Sequence, residues 1–574
     1  MAAGMVGWPD WPIDEIAFDS DPYSTTPTWT DVSAYVRLSP SLQVSRGRDD
    51  PWSPCPAGRL TLTLSNRDRR FDPTYTAGPY YGKLTAGRQI RVRQLTSAVY
   101  YPLFYGFVLE WPQQTVDRGL DATVDIEAYD GIEALAAARL AGEVYADYVA
   151  SLGSQELWLR QADRVWWVDS MYSGHQPVTV GSVSIAQDTL GVGVRSSPVV
   201  FDGATWFQIA DPLVLGGSWT QTFWVQADPT PPTSTQYIAH WRSGAGDRSS
   251  TMLSTTGTIQ YVAQKSAGGP FTVSIESSTI ITDGFPHHVA IVYDGSAGQI
   301  FIDGIPDYNQ VRSGSSAYTY RVARLGGDGY TEPGVTFTPP NTASILNGTQ
   351  VQDFAVFSTN LTETQLATMY GLGIGYLEET TTDRITRHLD HAGWPATWRN
   401  LTTNPRGMCG EIGWTGEKAI NACRDIEASE AGRLFIDNTG RLTLTTRYAH
   451  QETTRSMTVQ ARFSDDGNDF AYTTFGYVES ATNVRNDITV QNETAEYRSQ
   501  STTSQTLYRR RSETITTVLS TVAQLRDLAK GLIYWWKDAT LRVDAFEVSP
   551  PTPANFTTLF GLELGDLSRS NKPP

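Results

Sequence analysis

The sequence predicts a mainly β, multidomain chain with short helices, and three observations carry that prediction. Runs with period-two alternation recur along the 574 residues, which marks half-buried antiparallel strands. Aromatic residues are abundant, with 17 Trp, 27 Tyr and 20 Phe, and they favour strands and binding surfaces. A block from 150 to 376 reads as a self-contained antiparallel β-sandwich. It interrupts a different β-rich body made of 1–149 and 377–574.

The totals narrow the function. This length implies three or four domains. Hydrophobic content of 40% with 18% charged residues is globular composition. A net charge of −17 disfavours wrapping nucleic acid or lying on an anionic membrane. The short run Arg509, Arg510, Arg511 is the exception that would suit phosphate, although such runs are more often solvated faces or subunit contacts. Cys55, Cys409 and Cys423 form neither a disulfide framework nor a metal-ligand spacing, which fits a reducing cytoplasm. The first ten residues lack the basic and apolar regions of a secretory signal. No stretch is apolar enough for a bilayer-spanning helix.

In the first segment Leu60, Leu62 and Leu64 alternate with Thr61 and Thr63. Ile90 and Val92 alternate with Arg91 and Arg93, and Val124, Ile126 and Ala128 with Asp125 and Glu127. Turn residues such as Asp72-Pro73 and Ala86-Gly87 separate the runs, so a small β-barrel or sandwich is expected. A short helix follows over 131–140.

In the insert, Leu157–Leu159, Val199–Phe201, Ser218–Gln226, His288–Tyr293 and Gln299–Asp303 read as strands. Asp294-Gly295 and Asp303-Gly304 supply hairpin turns. Thr362 to Gln365 has the pattern of a capping box opening a helix.

The third segment predicts helices over 383–391, 417–430 and 522–536. Gly432 stops the second of these, and a hairpin at 433–445 turns through Asn438-Thr439-Gly440. The Pro-rich tail after Ser549 reads as extended.

Two families are resembled. Phe201-Asp202-Gly203-Ala204-Thr205-Trp206, Trp219 to Val225, Phe285 to Ala290 with Phe301 to Gly304, and Val351 to Phe357 with Leu361 to Leu366 follow in order. Their motifs and spacing resemble laminin-G-like, concanavalin A-like jelly rolls, with Pro286 standing where that family has Trp. The flanks resemble the baseplate-hub or minor tail proteins of long-tailed phages that infect actinobacteria. The matching stretches are Val44 to Arg48, Gly58 to Asn66, Phe71 to Pro73, Gly87 to Val92 and Phe104 to Val108. Asp390 to Pro395, Gly432 to Leu444 and Val484 to Val490 continue the series. Tail-hub β-barrel domains interrupted by an inserted jelly roll are the architecture this implies.

The resemblance to hub proteins implies a homotrimer ring at the tail tip of the virion. It would dock below the distal tail protein, enclose the end of the tape-measure protein and be made in the host cytoplasm. The insert would project to a host envelope glycan. Laminin-G-like domains often hold Ca²⁺ at a loop end, so the resemblance implies Ca²⁺ in the insert without fixing its ligands. Tyr237 and Trp241 are the residues proposed to stack on sugar rings, against the plainer reading of core aromatics.

No catalytic constellation is legible. Carboxylate pairs for glycoside hydrolysis are set by the fold and not by spacing, and neither HExxH nor GxSxG occurs. His287 and His288 alternate across a strand and so point apart. Gly371 to Gly375 lacks the full phosphate-loop pattern and follows a helix; it reads as the hinge returning the chain to the flanking body. Asp465 to Asp469 reads as a polar turn rather than a calcium loop. The expectation is a non-enzymatic structural virion protein with a glycan-binding insert. The alternatives are a tail-associated cell-wall-degrading enzyme with a laminin-G accessory domain, and a secreted adhesin or lectin.

Overall fold

The computed structural model describes residues 12–570, apart from 38, 40–41, 49, 51, 97, 117–120, 141, 161–176, 181–183, 186–188, 192–193, 195, 210–212, 216–217, 244–247, 265–270, 295–296, 309–317, 329–341, 413–415, 450–453, 465–468 and 549–552. The protein is mainly β, with antiparallel sheets and short helices. It divides into two compact units. One comprises Met1–Leu140, Glu378–Gly410 and Gly416–Pro574, and the other Ala141–Leu377 with Glu411–Thr415. The sequence boundaries at 150 and 376 therefore lie inside the second unit. No helix among the described residues is long and apolar enough to cross a membrane.

The first unit begins with an eight-stranded sheet. Its hydrogen-bonded order is Thr30–Asp31, Ile13–Ile16, Gln89–Thr96, Val99–Glu110, Asp121–Tyr129, Arg59–Ser65 and Gln43–Ser45, with Gln113–Val116 on Asp121–Tyr129. A bridge between Val36 and Leu64, and Arg37 N–H donating to Thr63 O at 2.8 Å, roll this sheet into a barrel. The alternation explains the register. Leu60, Leu62 and Leu64 face Ala128, Ile126 and Val124 across the pair, and all six are buried in one core with Ile90, Val92 and Phe104. Arg91 and Arg93 project to the other face, where both pair with Glu15.

Helices join this barrel to smaller sheets. The helix Gly131–Ala137 is capped by Asp130, whose side chain accepts from Ile132 N at 3.0 Å. The helix Ala419–Glu430 ends with Ala431 in the left-handed region at φ 44°, so Ala431 and not Gly432 makes the reversal. The helix Val522–Trp536 opens with a capping box between Thr521 and Gln524. It buries Leu525, Leu528 and Leu532 in one cluster with Ile488 and Val490 of the sheet Glu496–Gln500, Asp487–Gln491, Ser512–Thr516. The tail after Ser549 is not the extended chain its prolines predict. Pro553–Phe560 is a helix, and Leu567–Ser570 pairs in parallel with Val459–Phe463. Proline is tolerated in a first helical turn, where its missing N–H has no partner to lose.

The second unit is a sandwich of two eight-stranded antiparallel sheets. The first runs Pro177–Val180, Trp206–Ile209, Tyr318–Leu325, Gln236–Ser243, Arg248–Leu253, Thr258–Gln264 and Phe271–Ile280. The second runs Ser184–Ile185, Val199–Asp202, Asn347–Phe357, Trp219–Gln226, His287–Tyr293, Gly298–Ile302 and Ile305–Tyr308. Leu213–Leu215 joins the first sheet and Gln155–Leu159 the second. Both inner faces meet in one core that includes Phe201, Phe207, Trp219, Phe223, Ile291 and Phe354. Asp303 and Gly304, at φ 55° and 76°, make the tight turn that the Asp-Gly dipeptide predicts. The outer face of the second sheet presents Trp224, which stacks on Tyr370 of the helix Glu363–Gly373. Trp224 also donates from Nε1 to the Tyr145 hydroxyl of the helix Val144–Ser151 at 3.2 Å. That earlier helix therefore belongs with the sandwich.

Candidate functional site

Antiparallel register gathers a row of polar side chains on the non-core face of the first sandwich sheet. Gln208 stands opposite Arg324, Arg324 opposite His240, and His240 opposite Ser250. Within each strand their neighbours Phe207, Leu325 and Trp241 fill the core, so strand alternation forces these four outward. Arg324 Nε and Nη2 donate to Gln208 Oε1, each at 3.3 Å, and Nη1 donates to the Asp328 carbonyl at 3.0 Å. Its guanidinium lies 4.3 Å from the Trp206 ring centroid, a cation–π contact. His240 Nδ1 and Ser250 Oγ are 2.9 Å apart.

Electrostatics follow burial. Burial lowers the His240 imidazole to about 4, so it is neutral at pH 7. Burial also lowers the Arg324 guanidinium to about 10, which leaves it charged. With Arg324 1% and His240 7% exposed, the middle of the row is a closed network. Gln208 and Tyr237 at its margin are half-buried and reach solvent. The Tyr237 ring meets the His240 ring edge-on, with centroids 5.4 Å apart. Burial, and secondarily the charge of Asp328, raise the Tyr237 phenol above its usual range, so it remains a hydroxyl donor and acceptor.

Tyr237 therefore sits on the outer face of the sandwich, whereas Trp241, expected to stack on sugar beside it, lies in the core. The Trp241 indole is 1% exposed, packs against Phe354 and donates from Nε1 to Gln221 Oε1 at 3.3 Å. It cannot stack on a sugar. Four residues apart on a regular strand, the two rings would share a face. The register shifts between Tyr237 and Ala239, and that bulge puts both Ile238 and Ala239 in the core. Arg324, His240, Gln208 and Trp206 escaped the sequence reading because only strand order makes them neighbours.

The remaining sequence candidates fall into structural roles. His287 lies between two carboxylates, with Nδ1 2.8 Å from Asp303 Oδ2 and Nε2 3.2 Å from Asp283 Oδ1. Burial alone would lower its imidazole, but those carboxylates raise it above the ordinary value. His288 points to the opposite face against Trp224, where burial lowers it to about 4. Among the described residues no group of three or more His, Cys, Asp or Glu side chains is placed to hold a metal. Asp202 accepts from Ala204 and Thr205 N–H, Asp303 from His288 N–H, and Asp307 from Thr279.

Arg510 pairs with the buried Asp487, which Arg498 also holds at 2.6 Å. Arg511 donates its backbone N–H to Asn486 Oδ1 at 2.8 Å. Gly371 to Gly375 closes the helix Glu363–Gly373 and begins no phosphate loop. Residues 465–468 of the acidic turn lie outside the described residues. Cys55, Cys409 and Cys423 are buried thiols.

The family model described as the Concanavalin A-like lectin/glucanases superfamily matches residues 201–367. A search of curated proteins returned no match. Similar solved structures include the botulinum neurotoxin serotype D/C VPI 5993 binding domain, at 12% identity and TM-score 0.31, covering 40% of this chain and 54% of that one. Another is the botulinum neurotoxin serotype D binding domain, at 13% identity and TM-score 0.30, with the same coverages of 40% and 54%. The chain thus spans little more than half the length of each of these structures, 54% in both cases. Residues 201–367, with the two-sheet topology around them, form a concanavalin A-like lectin-type domain.

Proposed function

We propose that this chain is a structural virion protein, a minor tail protein of the baseplate hub at a phage tail tip. Its lectin-type domain attaches to a host cell-surface glycan. The observation that carries this reading is the lectin-type sandwich lying between two stretches of sequence that belong to one compact unit. An insertion of that kind adds recognition to an existing scaffold. The resemblance of both flanks to hub proteins supplies the scaffold's role, with a homotrimer, a distal tail protein and a tape-measure protein as its partners. The acidic net charge of −17 suits contacts with glycan and protein better than with nucleic acid. Binding is weak per site and strengthened by several copies on one particle.

Tyr237 is the proposed stacking platform, and the Gln208 amide, two strands away across Arg324, is proposed to hydrogen-bond sugar hydroxyls. The role requires no bond cleavage. Cryo-electron microscopy of purified phage particles tests the assignment, with density for this chain expected at the tail tip. Particles lacking the chain there would end the proposal, and release of sugars or peptides from host cell walls by the purified protein would favour the enzymatic reading.

A further inference from the structure

The first unit contains a cavity of about 1000 Å³ that the proposed function does not use. Six arginines line it: Arg48, Arg424, Arg433, Arg441, Arg447 and Arg455. Three are neutralised in place. Arg424 pairs with Glu427 at 2.7 Å, Arg441 with Asp437 at 3.0 Å, and Arg455 with Asp566. Among the described residues no carboxylate lies within ion-pair distance of the other three. Arg48 donates to the Ser53 carbonyl at 3.2 Å, and the Asp50 carboxylate near it is committed to the Trp52 and Ser53 N–H groups. Arg447 Nη1 donates to the Glu430 carbonyl at 3.3 Å, while its buried Nε has no partner among the described residues.

A guanidinium cannot shed its proton to escape burial, so a half-buried one without a counterion is costly. Arg433 carries this cost twice. Burial lowers its affinity for the proton, and the like charge of Arg48, on the same cavity wall, lowers it further. The acids of the wall do not relieve them. Glu563 is held by Arg46 at 2.7 Å and Glu513 by Arg485 at 2.7 Å, and Asp425 makes no ion pair among the described residues. The wall near these groups also offers an indole surface. Trp52 and Trp536 pack with ring centroids 5.1 Å apart, and Trp535 is 37% exposed.

We propose that this cavity binds a ligand through an oxyanion, a carboxylate or a phosphate, received by Arg48 and Arg433 with Arg447 as a third donor, while the indole wall contacts the ligand's apolar part. Guanidinium forks match both oxyanions in geometry and charge. The proposal stands independently of the tail-tip reading.

The test is calorimetric titration of the full chain with inorganic phosphate, pyrophosphate and citrate at constant ionic strength. Saturable binding of at least one probe is expected. Phosphates binding without citrate would identify a phosphoryl ligand, and the reverse a carboxylate ligand. Arg433→Gln is expected to weaken binding at least about tenfold, the loss of a charge-assisted pair. The same substitution is expected not to lower the ligand-free melting temperature, because it removes an uncompensated charge. Arg441→Gln, which removes a paired arginine, is expected to leave affinity within about twofold. Should a variant fail to fold, phenylglyoxal labelling of the unmodified sequence replaces it: the binding probe must protect Arg48 and Arg433. No binding by any probe, undiminished affinity in Arg433→Gln, or unprotected Arg433 would overturn the proposal.

Discussion

Trp158 donates its indole N–H to Asp353 Oδ1 at 2.9 Å, and both side chains are buried. Asp353 occupies an extra residue of the strand Asn347–Phe357, where the register with Trp219–Gln226 shifts, and its φ is 48°. Burial raises its carboxyl, and Arg160, Ser196 and Trp158 work against that rise. Asp353→Ala strands the indole N–H and the Ser196 hydroxyl in the interior. The expected loss is about 2–4 kcal/mol, read as a lower denaturation midpoint of the sandwich. Asp353→Asn keeps an acceptor and a residue that tolerates the left-handed region, so it should cost about half as much. Equal losses from the two substitutions would count against this account.

Tyr237 and Trp241 should separate stability from binding. Trp241→Ala opens a void beside Phe354 and takes the donor from Gln221 Oε1, with an expected cost of about 3–5 kcal/mol. Tyr237→Ala removes a half-buried ring on the outer face. It should change stability by less than about 1 kcal/mol while weakening glycan binding roughly tenfold. Glycan-array binding and thermal melting of both variants decide the matter. Glycan affinity unchanged in Tyr237→Ala would remove the proposed platform.

These two aromatics also mark where sequence stops being legible. Leu60, Leu62 and Leu64 opposite Ala128, Ile126 and Val124 follow from period-two patterning, because one buried face fixes the register. The capping box of Thr362 and Gln365 is equally local, and it is found where the sequence puts it. A bulge is not local in that sense. The extra residue between Tyr237 and Ala239 depends on the partner strand, yet it decides which aromatic faces out. Arg324 and Gln208 are 116 residues apart, and only the strand order brings them together. The tail misled for a different reason. Proline supports both an extended chain and a first helical turn, and the docking of Phe560 beside Tyr101 selects the helix.

A methyl group at residue 326 should be disproportionately damaging. Gly326 has φ 85°, and a Cβ there would meet Phe201 Cε1 at 2.2 Å. Its N–H and carbonyl are both committed, to Ile238 O and from Leu346 N at 2.9 Å each, so the backbone cannot swing away. Phe201 cannot yield either, because it sits in the core edge-on to Phe207. Gly326→Ala is expected to destabilise the sandwich by about 3 kcal/mol, combining overpacking with a left-handed strain. Adding Phe201→Leu should recover part of that loss, and strict additivity in the double-mutant cycle would refute the steric explanation.

Asp14 should make the first unit sensitive to pH. It stands on the strand Ile13–Ile16 opposite Val92, and the side chain is 0% exposed. Neither carboxyl oxygen has a hydrogen-bond partner among the described residues. Burial, then the charges of Asp31 and Glu15, raise its carboxyl from 3.8 to about 7. In the unfolded chain it titrates near 3.9. Between those values the folded state holds a proton that the unfolded state has lost, so raising the pH favours unfolding. The contribution is most favourable below about pH 4 and is lost as pH rises through about 7. The slope is roughly 1.4 kcal/mol per pH unit in that window. Asp14→Asn removes this titration, so its stability advantage over the unmodified protein should grow from pH 5 to pH 7 and level off beyond. Denaturant midpoints for both proteins across that range provide the measurement, and parallel pH profiles would show that Asp14 is solvated or paired in solution.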